Sequence, residues 1–114
     1  MEEALYDTSV VIGVVAKNRQ RIQGYISILT AIEYPPALSY ASKVLYPEKR
    51  DYHLAIKWQA LLRRRGSPIP AVDLIIAAQA YNRHLTLITH DRHFEILKNE
   101  VAPDIKLIIR GREQ

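Results

Sequence analysis

The chain has 114 residues and is 48% hydrophobic, which is enough for a single domain with a buried core, expected over residues 1–114. It contains no cysteine, which excludes disulfides and thiolate metal sites and fits a reducing compartment, and its longest apolar runs are too short to cross a bilayer. The formal charge of +4 favours polyanionic partners such as nucleic acids, and together these features predict a cytoplasmic protein that is not associated with a membrane.

The N-terminal part of the chain contains two predicted strands. The first, EALYD, ends at Asp7, and Thr8 or Ser9 is suited to be the N-cap of a following helix. The next segment, VVIGVVA, is ambiguous, because its β-branched residues favour a strand whereas its position after capping residues favours a helix. GYISILT is the second predicted strand, and its Thr30 could cap the segment that follows.

The clearest predicted helix is YPEKRDYHLAIKWQALLRRRG, with Pro47 in its first turn and Gly66 at its C-terminal end. Trp58 lies on the apolar side of this helix and is expected in the core. Farther along, AVDLIIAAQAYN is apolar on nearly every side and predicts a buried helix. LTLIT, DRHFEIL and IKLII then predict a strand, a short helix and a final strand.

This alternation of strands and helices predicts the fold class. Strands separated by helices favour parallel pairing with right-handed crossovers, and hence a three-layer α/β/α sandwich with a mainly parallel sheet of about four to five strands. In such open sheets, ligands bind outside the carboxyl ends of the strands. Asp7 and Asp91 follow predicted strands and are therefore expected at that edge.

The twelve acidic residues divide into two groups. Eight lie near the termini or on polar faces and are expected at the solvated surface: Glu2, Glu3, Glu48, Asp51, Glu95, Glu100, Asp104 and Glu113. The other four adjoin apolar runs, at strand ends or helix starts: Asp7, Glu33, Asp73 and Asp91. Each of the four has a local explanation as a cap, a first-turn acid or a strand-end residue.

The predicted sheet brings these four carboxylates to one edge. Close carboxylates cannot all stay ionised unless a cation lies among them. Oxygen ligands without cysteine favour Mg²⁺ or Mn²⁺, and such an ion can activate water and neutralise charge on a phosphate. A lone pair of histidines, His90 and His93, lacks a third soft ligand nearby and does not indicate a zinc site.

Four segments carry a resemblance to a known family. LYDTSVVIG, TAIEY, IPAVDLIIAAQA and LITHDRHF together resemble the acidic motifs of PIN-domain ribonucleases, particularly the VapC-type toxins of prokaryotic toxin–antitoxin pairs, from the first strand to about Leu97. The resemblance implies a PIN-like domain and a Mg²⁺- or Mn²⁺-dependent endoribonuclease. The acids it implies as catalytic residues and metal ligands are Asp7, Glu33, Asp73 and Asp91.

The resemblance also implies hydroxyl groups that support the acids, partner proteins and a helical VVIGVVA. The supporting residues would be Thr8, Ser9 and Thr89, and the partners would be an RNA substrate, a small antitoxin that covers the active site and a second copy in a homodimer. Further RNA contacts are suggested by their charge or position: Arg63, Arg64, Arg65, His90 and Arg92. The three consecutive arginines are equally well explained by their place at the end of a helix.

Glu33 has an unusual sequence environment. Pro35 and Pro36 follow it closely, and a proline disfavours helical geometry in the residue before it. This keeps open a second hypothesis, a non-catalytic PIN-like module that binds RNA or protein. A free-standing RNA-processing nuclease without an antitoxin also stays open. A phosphoacceptor receiver domain has a comparable magnesium pocket but requires adjacent acids after the first strand, where this chain has Thr8 after Asp7.

Overall fold

The computed structural model describes residues 3–17 and 21–111, in which five strands alternate with five α-helices and one 3-10 helix (Pro35–Ser39). The strands are β1 (Ala4–Tyr6), β2 (Ile22–Ser27), β3 (Ala41–Leu45), β4 (Thr86–Thr89) and β5 (Leu107–Ile109). The helices are α1 (Thr8–Ala16), α2 (Ile28–Glu33), α3 (Lys49–Arg64), α4 (Ala71–Asn82) and α5 (Phe94–Glu100). Within these residues, no helix is long and apolar enough to cross a membrane.

All strands pair in parallel, in the order β3-β2-β1-β4-β5. The central strand β1 pairs on one side with β2, where Leu5 lies opposite Tyr25, and on the other side with β4, where Leu5 lies opposite Leu87. Helices cover both faces, so the predicted α/β/α sandwich with a parallel sheet is confirmed. The strand order differs from the 2-1-3-4-5 order of receiver domains, which excludes that alternative.

Two clusters of buried apolar residues lie on opposite faces of the sheet. In β1, Leu5 belongs to the cluster formed with α3, α4 and α5, whereas the neighbouring Tyr6 packs against the cluster formed with α1. This alternation follows from the two-residue period of a strand. Trp58 lies in the first cluster at 4% exposure and contacts Tyr81 edge to face, so its predicted place in the core is confirmed.

The first helices differ in part from the sequence prediction. VVIGVVA lies within α1, which confirms its helical interpretation, and the residue at the N-cap position is Asp7 rather than Thr8 or Ser9. The predicted strand GYISILT is divided, since β2 ends at Ser27 and α2 begins at the next residue. The Ser27 hydroxyl accepts a hydrogen bond from the Leu29 N–H over 3.1 Å. Ser27, not Thr30, therefore caps α2.

Three other boundaries also differ from the sequence prediction. The strand β3 was not predicted, because only Ala41 among its five residues is buried and its sequence shows little alternation. Pro47 does not lie in the first turn of α3, since that helix begins at Lys49 after an N-cap at Glu48. The DRHFEIL helix begins only at Phe94. By contrast, Gly66 has a φ of 76° just after α3, as expected of a glycine that ends a helix.

Asp51 is buried in an ion pair, and its predicted place at the solvated surface is wrong. Its two carboxylate oxygens each accept a hydrogen bond of 3.0 Å from the Arg83 guanidinium, and they also accept from the Asn82 amide and the Glu48 N–H. Burial alone would raise the pKa of Asp51, but the hydrogen bonds from Arg83 and its neighbours outweigh it and hold that pKa below its usual value. The pair joins the start of α3 to the end of α4, so the two helices run antiparallel.

Candidate functional site

The carboxyl ends of β1 and β4 bring Asp7 and Asp91 to the same edge of the sheet. Asp7 directly follows β1 and donates its N–H to the Ile88 carbonyl of β4 over 2.9 Å. Thr89, the last residue of β4, donates its hydroxyl to Asp7 Oδ2 over 2.8 Å and accepts from the Asp91 N–H over 2.9 Å. A single buried hydroxyl thus fixes both acids.

Ser9 makes a matching pair of hydrogen bonds from α1. Its hydroxyl donates to Asp7 Oδ2 over 2.8 Å and accepts from the His90 N–H over 3.1 Å. Asp7 is only 3% exposed, and its second oxygen, Oδ1, is buried with no hydrogen-bond partner among residues 3–17 and 21–111. A buried carboxylate oxygen left unpaired is costly, and it indicates a position where a ligand would be favourable.

Asp73 lies in the first turn of α4, close to the other two aspartates. Burial and the negative charge of Asp7 raise the pKa of Asp73 to about 6, with His93 acting in the opposite direction and Asp91 adding to the increase. Burial and the nearby negative charges therefore disfavour the ionised form of Asp73 more than the helix dipole at the start of α4 favours it. Asp73 thus shares one electrostatic environment with the two aspartates at the strand ends.

His93 is a site residue that the sequence analysis did not assign. Its Nδ1 lies 2.8 Å from Asp91 Oδ1 and its Nε2 lies 3.0 Å from Asp73 Oδ2, so the imidazole ring bridges the two acids. The Asp91 Oδ1 atom also accepts from the His93 N–H over 3.1 Å, which forms a tight turn before α5. An aspartate followed two residues later by a histidine at a helix start is the signal that would have found it.

The ligand atoms of Asp73, Asp91 and His93 all lie within 4.8 Å of one another, the grouping compatible with a metal ion in the part of the chain that the structure describes. Asp7 and Glu33 lie outside this group. Asp7 nevertheless acts on Asp73 through its charge. The structure thus brings three of the four predicted acids, Asp7, Asp73 and Asp91, into one region. His93 lies in the same region.

Glu33 lies on a more exposed side of the site. It is the last residue of α2, and Tyr34 takes the non-helical conformation (φ −145°, ψ 81°) that precedes Pro35, so the prolines leave Glu33 itself helical. The Thr8 hydroxyl donates to Glu33 Oε1 over 2.9 Å. Because that hydroxyl has one proton, its 2.8 Å hydrogen bond with the buried Thr30 must be one that it accepts. A directed chain of hydroxyls therefore orients Glu33.

The predicted RNA contacts have different surroundings. Arg65 pairs with Glu100 over 2.6 Å, and Arg92 pairs with Glu95 over 3.1 Å at the surface. His90 places its Nδ1 2.8 Å from the Arg110 carbonyl oxygen. Arg63 and Arg64 are exposed in the last turn of α3.

The helix pairing places Arg63 and Arg64 at the same end of the molecule as Asp73. The helices α3 and α4 are antiparallel, and the Gln59 side chain holds the backbone of Ile69 just before α4 with bonds of 2.6 and 3.2 Å. The end of α3 and the start of α4 therefore lie together. The positive charges of Arg63 and Arg64 therefore lie at the end of the helix pair that also carries Asp73.

Solved structures share this fold. The chain is similar to the DNA-bound VapBC of Salmonella typhimurium at 22% identity and a TM-score of 0.73, over 96% of this chain and 98% of that one. VapBC-1 of nontypeable Haemophilus influenzae matches at 21% identity and 0.70, over 93% and 96%. A toxin–antitoxin complex of Klebsiella pneumoniae matches at 20% and 0.59, over 93% and 96%. At such identities these likenesses establish the fold alone.

The family assignment comes from the sequence. No curated protein matches this chain. The PIN domain family matches residues 37–100, more than half of the chain, a range that includes Asp73, Asp91 and His93 and that begins after Asp7 and Glu33. The chain therefore belongs to the PIN domain family.

Proposed function

We propose that this protein is a divalent-metal-dependent endoribonuclease that hydrolyses RNA phosphodiester bonds and acts as the toxin of a toxin–antitoxin pair. PIN domains are generally nucleases, which gives the reaction class. The observation that carries the proposal is the convergence of Asp7, Asp73 and Asp91 at the ends of β1 and β4, where the pKa of Asp73 is raised to about 6. Clusters of carboxylates that repel one another are characteristic of sites that bind a cation.

The residues present fit a divalent ion. The buried Asp7 Oδ1 has no partner in the described residues, and the cluster of Asp73, Asp91 and His93 offers ligand atoms close to one another. Carboxylate oxygens are the ligands that Mg²⁺ and Mn²⁺ prefer. We assign Asp7, Asp73 and Asp91 as ligands, and Glu33 as the carboxylate on the exposed side. A bound divalent ion would activate water and neutralise charge on the attacked phosphate.

The remaining side chains position these acids. Ser9 and Thr89 hold Asp7 by one oxygen and leave the other without a hydrogen-bond partner among the described residues. Thr8, itself hydrogen-bonded to Thr30, donates to Glu33 and orients its carboxylate. Preorganised carboxylates of this kind need no rearrangement when substrate binds, which is the main way a fold contributes to hydrolysis.

The RNA backbone would bind beside the acids. Arg63 and Arg64 stand exposed at the end of α3 nearest Asp73, and neutralising phosphate charge is the usual role of such arginines. We propose that this surface also includes Arg65, His90 and Arg92. Each of these residues also contacts a partner within the protein. The +4 formal charge supports a nucleic-acid substrate.

A protein partner and a second copy of the chain are further parts of the proposal. A groove of about 240 Å³ between α3 and α4 is lined mainly by apolar side chains, with Tyr52 and Ile56 at 45% and 66% exposure. Apolar surface of this kind is typical of protein interfaces. In a cytoplasmic toxin, an antitoxin and the second subunit of a homodimer would provide such partners.

RNA cleavage by matched variants tests the proposal. The wild type should cleave an unstructured RNA in Mg²⁺ or Mn²⁺ and lose that activity in EDTA, and Asp73→Asn should reduce the rate at least about 100-fold. Asp104→Asn is the control, because Asp104 bonds to Tyr81 near the opposite end of α4. Undiminished cleavage by Asp73→Asn would overturn the assignment.

Two further outcomes separate the alternatives. RNA binding that is unchanged by EDTA, with no cleavage in either metal, would favour a binding module. A small protein encoded beside this chain that blocks cleavage on co-expression would support the toxin, and cleavage without any such neighbour would favour a free-standing RNA-processing nuclease.

A further inference from the structure

We infer that His93 is a nitrogen ligand of the proposed metal site and biases that site towards transition-metal ions such as Mn²⁺ over Mg²⁺. The inference rests on the proposed function, because it concerns the ion of the same site. It adds a ligand that the four-acid pattern in the sequence does not contain.

His93 Nε2 lies 3.0 Å from Asp73 Oδ2. Two neighbouring ligands of an octahedral ion, each about 2.1 Å from it, lie about 3.0 Å apart. The two atoms therefore already have the separation that one shared ion requires. No rotation of either side chain is needed to create it.

The imidazole ring of His93 contacts both Asp91 and Phe94. Asp91 Oδ1 lies 2.8 Å from Nδ1 of His93 and accepts from the same residue's N–H over 3.1 Å. Nε2 likewise faces a carboxylate oxygen, Asp73 Oδ2, so a cation bound at Nε2 would replace the hydrogen bond with Asp73, and Nδ1 would keep its proton towards Asp91. A ligating histidine that donates its other ring N–H to a carboxylate is a recurrent arrangement in metal sites. The Phe94 ring, 4.9 Å away, packs against the imidazole and limits its movement.

Asp7 lies outside the group of Asp73, Asp91 and His93 and is observed independently of it. Asp7 is 3% exposed, and its Oδ1 has no partner among the described residues. The negative charge of Asp7 raises the pKa of Asp73, so the two carboxylates share one electrostatic environment. A cation bound beside Asp73 would also lower the electrostatic cost of the buried charge on Asp7.

The kind of ligand atom in the site affects whether Mg²⁺ or Mn²⁺ binds more tightly. Mg²⁺ prefers oxygen ligands in a strict octahedron, whereas imidazole is a better ligand for the first-row transition metals. A site of oxygen atoms alone would discriminate little between Mg²⁺ and Mn²⁺. A nitrogen ligand should strengthen Mn²⁺ binding and leave Mg²⁺ binding nearly unaffected.

The test uses Mn²⁺ as the probe, in the full chain without RNA. Pulsed EPR of the Mn²⁺-loaded wild type should show hyperfine coupling to one imidazole nitrogen. His93→Gln should abolish that coupling and lower the Mn²⁺ affinity about tenfold, while the Mg²⁺ affinity changes little because the glutamine side chain still offers an oxygen. His53→Gln, at an exposed position of α3, is the matched control and should keep both properties.

Each other outcome is decisive. Mn²⁺ binding without nitrogen coupling, or coupling that survives in His93→Gln, would overturn the role of His93 and leave the carboxylate site intact. An absence of Mn²⁺ binding in the wild type would overturn the proposed function as well. His93→Ala provides a second variant, and thermal unfolding in EDTA shows whether each variant is folded.

Discussion

The Thr89 hydroxyl donates a buried hydrogen bond of 2.8 Å to Asp7 Oδ2, and this bond joins the ends of β4 and β1. The Thr89 hydroxyl oxygen also accepts from the Asp91 N–H over 2.9 Å, so Thr89 connects two of the proposed ligands. Its side chain is fully buried, and it has no freedom to exchange these partners for water.

Replacing Thr89 should therefore affect both stability and metal binding. Thr89→Val keeps the shape but removes the donor to Asp7 and the acceptor for Asp91, and it should lower the free energy of unfolding by about 1–3 kcal/mol. The Mn²⁺ affinity should fall about tenfold because Asp7 is no longer fixed. Urea unfolding in EDTA and Mn²⁺ titration measure the two effects. Thr89→Ser retains the hydroxyl and should behave almost as the wild type, and a valine variant with normal Mn²⁺ affinity would contradict this role.

Asp73 should make the metal-free protein less stable. Its folded pKa of about 6 lies above its ordinary value of 3.8, so the folded state binds more protons between these values and stability falls as pH rises from about 4 to 6. After allowance for solvent screening, the cost at neutral pH is about 1–2 kcal/mol. In EDTA at pH 7, Asp73→Asn should raise the free energy of unfolding by that amount. A variant that is less stable than the wild type at pH 7 would refute this expectation.

The same pKa predicts how metal binding depends on pH. Below pH 6 Asp73 is largely protonated and must release a proton before it can act as a ligand. The Mn²⁺ affinity should therefore be nearly constant above pH 7 and fall by up to about tenfold per pH unit below 6. Calorimetric titration between pH 5 and 8 measures this change. An affinity that stays level down to pH 5 would show that Asp73 is not a ligand.

Asp51 should contribute to stability and not to activity. Asp51→Asn leaves Arg83, at 15% exposure, with the exposed Glu48 carboxylate 3.7 Å away but without its buried charged partner, and it should lower the free energy of unfolding by about 2–4 kcal/mol. Glu95→Gln disrupts the exposed pair with Arg92 and should cost no more than about 0.5 kcal/mol. Denaturant unfolding compares the two variants. If Asp51→Asn were as stable as Glu95→Gln, the buried pair would have no structural role.

The sequence predicted most of the fold because its signals are local. The buried helix AVDLIIAAQAYN, the strand LTLIT and the glycine at Gly66 all follow from residue types close together in the chain. Only the family resemblance resolved VVIGVVA, since its valines and its position after a cap point to different structures. The edge strand β3 was missed because exposed Ser42 and Lys43 interrupt its apolar pattern.

The features of the site that the sequence missed depend on long-range contacts. Asp51 resembles a surface acid until Arg83 is brought to it from 32 residues away. His93 and His90 lack a third soft ligand nearby in the sequence, and the relation of His93 to Asp73 arises only when α4 and the turn before α5 meet. The orientation of Glu33 likewise requires Thr8 from 25 residues earlier. Such contacts are made by the fold and leave no periodic signal in the sequence.

Calorimetric titration of Mn²⁺ into three proteins at pH 7.5 is the most direct test of whether Asp7, Asp73 and Asp91 hold a divalent ion. The wild type and Asp104→Asn should bind one or more ions with equal affinity, whereas Asp73→Asn should show at least about 100-fold weaker binding. If the wild type failed to bind Mn²⁺, or if Asp73→Asn bound it equally well, the carboxylates at the strand ends would have only a structural role.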